Sequence, residues 1–229
     1  KTDTETATIE VIGRMEVDWV GWIDRVLQAN FEVAYNALDS NLIQIEDKGS
    51  GSMVVEVPGA NTRVDEIRWD AQIQDTWSSG SFVLNYGLGL ERSTISQSGV
   101  DGQKRNFLYL KPHSLLTYSS SQMQQTRLRL AREVAQLNFN DFVSASVFED
   151  DDLALGNPDL RPETTWLAEL THERRFGELA VATLTAFYHW IADVQDLLPL
   201  TSEFEVPGNI GKGSRWGLEL ESTVPLEWL

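Results

Sequence analysis

Apolar and polar residues alternate along most of this chain with a period of two. Ile9, Val11, Met15, Val17 and Trp19 fall on one face, against Glu10, Arg14, Glu16 and Asp18. Leu27, Ala29, Phe31, Val33 and Tyr35 oppose Gln28, Asn30, Glu32 and Asn36. Ile67, Trp69, Ala71, Ile73 and Trp77 oppose Glu66, Arg68, Asp70, Gln72 and Gln74. Phe82, Leu84, Tyr86, Leu88 and Leu90 follow, with Asn85, Gly87, Gly89 and Glu91 between most of them. The second half repeats the design. Thr126, Leu128, Leu130 and Val134 alternate with Gln125, Arg127, Arg129 and Glu133, although Arg132 interrupts the apolar row. Trp166, Ala168, Leu170 and Phe176 alternate with Thr165, Glu169, Thr171, Glu173 and Arg175; Trp216, Leu218, Leu220 and Val224 alternate with Arg215, Gly217, Glu219 and Glu221. Successive side chains of an extended strand point to opposite faces, so this period predicts strands with one apolar face. Residues 107–119 and 179–194 read as two further, less regular strands. The total is about nine strands of roughly 10–15 residues, longer than the ~5–6 of ordinary globular strands and sufficient for the ~9–11 that cross a bilayer.

The links between these segments sort by length. Short ones fall around 21–24, 78–80, 119–121 and 177; long ones span 47–62, 96–106, 137–163 and 195–213. Tight turns on one rim and long loops on the other are the asymmetry of membrane-spanning barrels. Aromatic residues collect at two levels. Trp19, Trp22, Trp77, Phe82, Phe176 and Trp228 adjoin the short turns, whereas Tyr35, Trp166, Trp190 and Trp216 sit toward the long loops. Amphipathic rings favour the headgroup region, so two levels mark two membrane interfaces. Trp166 and Phe176 share a face ten residues apart, which at ~3.3 Å per residue and a tilt of ~40° projects to ~25 Å, the height of the apolar band. The expected fold is therefore all-β, an antiparallel up-and-down transmembrane β-barrel, present in part. A soluble β-sandwich also has one apolar face per strand. The two readings separate on Trp69, Leu128, Leu170 and Leu218, which a sandwich buries between layers and a barrel turns outward.

Composition narrows the chemistry. Across 229 residues, 35 acidic and 18 basic side chains give a net charge of −17, and no basic cluster supplies the face that nucleic acid requires. There is no cysteine, which removes disulfides, thiolate metal sites and a cysteine nucleophile. A spanning helix needs ~20 mainly apolar residues, and the best run, 179–187, is about half that and is broken by threonines. The first residues, Lys1-Thr2-Asp3-Thr4-Glu5, hold no apolar signal core, so a signal peptide is expected to be absent or encoded upstream.

Four segments carry more than a period. Asn138-Phe139-Asn140-Asp141-Phe142 follows the strand end at Arg132-Glu133, and Gly156-Asn157-Pro158-Asp159-Leu160-Arg161-Pro162-Glu163-Thr164 comes next. Then follow Thr185-Ala186-Phe187-Tyr188-His189-Trp190-Ile191-Ala192-Asp193-Val194 and Pro207-Gly208-Asn209-Ile210-Gly211-Lys212-Gly213, the last leading into Trp216-Gly217-Leu218-Glu219-Leu220-Glu221. In this order and spacing they resemble the later barrel strands of TonB-dependent outer-membrane receptors, and the likeness extends more loosely over nearly the whole chain. The resemblance implies an outer-membrane receptor for energy-coupled uptake of a scarce solute of the siderophore–iron, vitamin or oligosaccharide class. It also implies partners: a plug domain and further strands, a periplasmic energy-coupling protein that engages an N-terminal box, membrane lipid with lipopolysaccharide, and a small-molecule ligand.

Neither the plug nor the box is found in these 229 residues, and Leu226-Glu227-Trp228-Leu229 reads as an internal short turn. One partial barrel domain over 1–229, comprising middle-to-late strands, is expected. An open sheet leaves unpaired backbone groups on two edges. At several kcal/mol per group in hydrocarbon, this amounts to tens of kcal/mol, beyond the ~5–15 kcal/mol net stability of a domain. The segment is thus expected to need further strands or to close as a smaller barrel.

Within the motifs, Pro158 and Pro162 lack the N–H a ladder needs and belong to a loop or strand start. Asn157 and Asp159 can cap turning backbone, and Arg161 and Glu163 read as loop anchors. Gly211, Gly213 and Gly217 allow tight turning or close backbone approach. Enzymatic chemistry finds no support. His113, His172 and His189 lack metal-ligand spacing and read as lumen-facing or interfacial polar residues. No nucleophile elbow, Walker loop or dinucleotide fingerprint occurs, so no catalytic, cofactor-binding or metal residue is assigned. Glu149, Asp150, Asp151 and Asp152 form the densest charge run, a solvated loop tip or a divalent-cation site among lipopolysaccharides. Arg127, Arg129 and Glu133 form a lumen row suited to packing against a plug or to contacting a passing solute. A soluble carbohydrate-binding or structural β-domain and a passive porin are the alternatives to the receptor.

Overall fold

The computed structural model describes residues 2–47, 52–55, 61–98, 102–142, 145–147, 152–154, 156–177, 179–199 and 205–225. Its strands are β1 (Thr2–Trp22), β2 (Arg25–Asp47), β3 (Ser52–Val55), β4 (Asn61–Ser79), β5 (Phe82–Gln97), β6 (Lys104–Ser121), β7 (Gln124–Val134), β8 (Ala145–Val147), β9 (Asp152–Ala154), β10 (Thr164–Phe176), β11 (Ala180–Pro199) and β12 (Glu205–Thr223). A short 3-10 turn, Phe139–Phe142, lies between β7 and β8. Nine long strands pair in the order β1-β2-β4-β5-β6-β7-β10-β11-β12, with β3 extending one end of β2 and β8 pairing β9 separately. Every pairing is antiparallel, the up-and-down meander that the alternation predicts. β1 and β12 end the path and do not pair with each other, so the described strands form an open wall and not a smaller closed barrel.

Register converts the sequence pattern into two continuous faces. Across seven strands, Trp77, Leu84, Leu116, Leu128, Leu170, Ala186 and Leu218 stand opposite one another in turn. This face is exposed: Trp69, Leu128, Leu170 and Leu218 are 45%, 38%, 49% and 77% accessible, with no second layer over them. A sandwich core is thereby excluded for this face. A one-residue slip anywhere would interleave polar residues with this row, so the apolar surface itself specifies the register.

A second row shows how the wall leans. Trp19, Leu27, Asp75, Tyr86, Ser114, Leu130, Ala168, Tyr188 and Trp216 pair in succession. Eight strand steps of ~4.8 Å at a tilt of ~40° climb ~25 Å. The row therefore begins at the aromatic level beside the short turns and ends at the level below the long loops. Within these levels Phe82 stacks on Tyr118 at 4.7 Å, Trp166 stands opposite Trp190, and the Tyr188 and Trp190 rings lie 4.6 Å apart. The side chain of Trp22 and all of Trp228 lie outside what is described, as does the turn expected at 226–229.

Several boundaries differ from the sequence reading. The expected turn at 119–121 is strand, and the reversal falls at Gln122 and Met123. The expected long links at 96–106 and 195–213 are shorter than read, because β5 runs to Gln97, β6 starts at Lys104, β11 runs to Pro199 and β12 starts at Glu205. Strands of up to 23 residues exceed what a bilayer crossing needs. Above the apolar band neither face has to be greasy, so the alternation fades while backbone pairing continues in water. A β-bulge between Ala192 and Val194 marks that change, with Asp193 at φ 57° and Gly211 at φ 110°.

Candidate functional site: the inner wall and its docked loop

The face opposite the apolar rows is polar and cross-linked. Glu32 on β2 accepts hydrogen bonds from Arg14 on β1 and, at 3.1 Å, from Arg68 on β4. Lys111 on β6 donates to Glu91 on β5 at 2.9 Å and to Asp70 on β4. Gln28 donates to Glu16 at 2.7 Å and Asp18 at 2.8 Å and accepts from Gln74, whose Oε1 lies 3.3 Å from His113 Nε2. Farther along, Arg129 binds Glu133 and, at 3.1 Å, Glu169, and His189 meets Glu169 at 3.2 Å. Arg127 pairs Glu173 at 3.5 Å. The lumen row Arg127, Arg129 and Glu133 thus exists as expected, with each arginine already committed to carboxylates of β10.

Glycine makes the long reaches possible. Gly87 and Gly89 occupy successive inner positions of β5, between β4 and β6. A Cβ on Gly87 would lie 2.5 Å from the Ile73 carbonyl oxygen and 2.6 Å from His113 Cε1; one on Gly89 would lie 3.3 Å from Lys111 Cβ. The two gaps are the paths by which His113 and Lys111 cross β5 to reach β4. These glycines were visible in the sequence as interruptions of the alternation, but only the register shows what they make room for. Gly217 plays a similar part under the Phe187 ring, whose Cζ lies 2.8 Å from the position of a Cβ.

At the long-loop end the same inner face turns apolar. Leu38, Val64 and Ile95 project from β2, β4 and β5 and bury Phe142 and Leu160 from the 135–163 connection, with Phe107, Leu137 and Phe139 packed around them. The motif residues therefore fold back into the barrel. The Gln97 side chain donates to the Phe142 carbonyl at 3.2 Å, Gln103 to Asp159 at 3.3 Å, and Arg105 to the carbonyls of Pro158 (3.0 Å) and Leu160. On the other side Asn157 donates to the Pro207 carbonyl at 2.7 Å. Asn209 accepts from the Arg161 amide at 2.8 Å and donates to the Arg161 and Asp193 carbonyls, and Gln195 donates to Arg161 O at 2.9 Å. Segment 157–161 is a strap tying β5 and β6 to β11 and β12. Asn157 caps the turn as expected, accepting from the Asp159 amide at 2.8 Å. Arg161 and Glu163 anchor through their backbones, Glu163 by accepting from the Ala135 amide at 2.8 Å. Burial pushes the Asp141 carboxyl above its ordinary value and the Arg105 guanidinium below its own.

The three histidines separate. His113 and His189 are on the inner wall, whereas His172 shares the outer face with Leu170, near a short turn, and meets Thr126 Oγ1 at 2.9 Å. Among the described residues no group of three or more His, Asp or Glu could hold a metal ion. Glu149, Asp150 and Asp151, and the side chain of Asp152, lie outside what is described. The docked strap was missed as an inner-wall element; the signal for it was Leu38, Val64 and Ile95, apolar residues at polar-face positions of three successive strands.

A tilted antiparallel wall with an apolar outer face, two aromatic levels and a cross-linked polar inner face defines a segment of a membrane-type β-barrel. The family model "TonB dependent receptor-like, beta-barrel" matches residues 2–229, and the chain belongs to that family, whose members are outer-membrane receptors. Its fold is similar to the copper transporter OprC (TM-score 0.75, 12% identity, covering 98% of this chain and 36% of that one). It is also similar to the Serratia marcescens hemophore receptor HasR, solved with its hemophore HasA and heme (TM-score 0.69, 12% identity, 96% and 40% covered). A third is the alcaligin receptor FauA of Bordetella pertussis (TM-score 0.64, 11% identity, 98% and 37% covered). No curated protein sequence matches the chain. The chain spans little more than a third of the length of these structures.

Proposed function

We propose that this chain is barrel wall from a receptor that sits in the bacterial outer membrane and takes up a scarce solute by periplasmic energy coupling. The observation that carries the reading is the seven-strand apolar row from Trp77 to Leu218, exposed on one face while the other face is sealed by ion pairs. Such a row is stable against lipid and costly against water. The inner wall from Arg14 to Glu169 supplies fixed charge at the positions where a plug domain, lying outside these 229 residues, would pack. The solute belongs to the metal-complex, heme, vitamin or oligosaccharide classes, and its contacts lie on the plug and the outer loops. Two measurements on the intact protein test the reading. It should be recovered folded from detergent-extracted outer membranes, with mobility that changes on heating, and its deletion should abolish energy-dependent uptake of one solute. Recovery as a detergent-free aqueous monomer would overturn it.

A further inference from the structure

The wall is laddered unevenly at its long-loop end. β6 has 18 residues and β11 has 20, but β7 and β10 between them have 11 and 13. β6 pairs β5 from Tyr118 up to Lys104, whereas its pairing with β7 ends at His113, opposite Ala131. Residues 104–112 of β6 therefore have a strand on one side, and a notch opens above β7 and β10. Its starting point has a local cause. The Ser119 amide donates to the Ser81 carbonyl beside β5, and the Leu110 carbonyl accepts from the Arg132 side chain on β7. Odd residues of β6 thus turn their backbone groups to β5 and even ones to β7. Pro112 is even, so the donor that would carry the β7 ladder one step farther is missing.

The two banks of the notch differ. On the β11 side the strap supplies partners, since Gln195 and Asn209 hold the Arg161 backbone. On the β6 side the strap is held by side chains, those of Gln103 and Arg105. The N–H and C=O groups of Asn106 and Leu108 and the Leu110 N–H have no strand partner there among the described residues. Arg132, opposite Trp166 in register, turns into the gap. Its guanidinium carbon is 6.0 Å from the Tyr109 ring centre and its Nη1 is 3.1 Å from the Leu110 carbonyl oxygen, so a side chain stands in for one missing rung. The rest of the edge is open: Lys104, Asn106, Leu108 and Leu110 are exposed, Leu108 at 67%. A row of unpaired donors and acceptors at ladder spacing is a template for another extended chain. Charge selects among such chains. The outer positions of β5, β6 and β7 carry no aspartate or glutamate among the described residues, while Lys104 and Arg92, the latter opposite Leu108, flank the edge.

We propose that the β6 edge from Lys104 to Leu110 takes an extended, acidic polypeptide segment of an extracellular partner by strand addition, filling the notch above β7. Recognition is backbone to backbone at Asn106, Leu108 and Leu110, and Arg92 and Lys104 favour acidic side chains on the added strand. The side from which the partner arrives rests on the outer-membrane reading above; the free edge stands without it.

The sequence has no cysteine, so Ser96→Cys, opposite Lys104 on β5, places a single thiol at the top of the edge. The intact protein in detergent is joined there by disulfide to a peptide of alternating threonine and glutamate, held at about millimolar effective concentration. Twin peptides carry lysine for glutamate, or a methyl group on every amide nitrogen. Hydrogen exchange over 104–112 is read by mass spectrometry. The acidic peptide is expected to slow exchange at Asn106, Leu108 and Leu110 about tenfold or more, the lysine twin less, and the methylated twin not at all. Leu108→Pro removes an edge donor and leaves the β5 ladder in place, as Pro112 does, so most of the slowing at Asn106 and Leu110 should disappear. Leu108→Ala should keep it. Undiminished slowing in L108P, equal slowing by the lysine or methylated twin, or no slowing by the acidic peptide would overturn the proposal. So would exchange already slow without any peptide, which assigns the edge to residues 143–151 if it survives dilution and to a second copy of the chain if it does not. All of these leave the receptor reading intact, whereas a protein absent from the outer membrane overturns that reading and leaves the edge.

Discussion

Lys111 on β6 reaches across β5 to hydrogen-bond Asp70 on β4, and Gly89 is the residue it crosses. One ammonium thereby joins three strands, since Glu91 on β5 completes the triad. Strand neighbours in a barrel are already joined by backbone ladders. What the side chains add on the inner face is second-neighbour connection, and that depends on a small residue in the intervening strand.

The crossing predicts that Gly87→Val is worse than its chemistry suggests. Its side chain would meet the Ile73 carbonyl and the His113 ring inside ordinary contact distance, an overpacking of about 1–3 kcal/mol. Lys111→Met should cost about 1–3 kcal/mol by leaving Asp70 and Glu91 facing each other without a cation. Denaturant midpoints of the intact protein in detergent check both. Combining Lys111→Met with Asp70→Asn should restore part of the loss, and purely additive effects would remove the triad from the account.

The strap makes a different prediction. Phe142 and Leu160 are the largest side chains fully buried in the described structure, and they hold a connection against a wall to which it is not laddered. Phe142→Ala should cost about 3–5 kcal/mol locally. Loss of docking should appear as faster amide exchange in 137–142 and 156–162 with β4 and β5 still protected. Uniform loss of protection over all strands would mean that the strap is part of the barrel's global stability.

How much of this was legible in the sequence follows from which force acts where. The face of each strand is fixed by the preference of Leu128 or Leu170 for an apolar surrounding and of Arg129 or Glu169 for a polar one, so alternation revealed both. The ends of β11 and β12 were misplaced because Pro199 and Glu205 extend a hairpin held by backbone pairing alone, which leaves no period to count. The docking of Leu160 onto Val64 was hidden for another reason. It joins residues far apart in sequence, and only the register of β2, β4 and β5 brings their receiving positions side by side.

Asp141 gives the strap a pH dependence whose sign is fixed. Its carboxyl is raised by burial with no cation opposing the shift, so the docked state binds the proton more tightly than the undocked one. Docking therefore gains stability as pH falls through the raised value, levels off below the ordinary carboxylate value of 3.8, and is weakest at neutral pH. Asp141→Asn should strengthen docking at neutral pH and flatten the profile between neutrality and pH ~4. Amide exchange in 137–142, measured across that range on both proteins, is the check; protection rising with pH in the wild type would reverse the assignment.

The outer face offers the most direct test of what surrounds this wall. Leu170 lies near mid-height between the aromatic levels, in the row joining Leu128 to Ala186, and is already 49% exposed. In water an arginine there would cost little, because the position is open and laddered on both sides. In hydrocarbon at the midplane the same change costs about 2–4 kcal/mol, falling to roughly 0–1 kcal/mol near the interface. Leu170→Arg should therefore lower folding stability in lipid vesicles severely, Trp166→Arg should lose mainly its aromatic anchoring, and Thr171→Arg, facing the lumen, should lose least. A Leu170→Arg penalty that vanishes in vesicles would mean that this face does not meet lipid, whatever the shape of the wall.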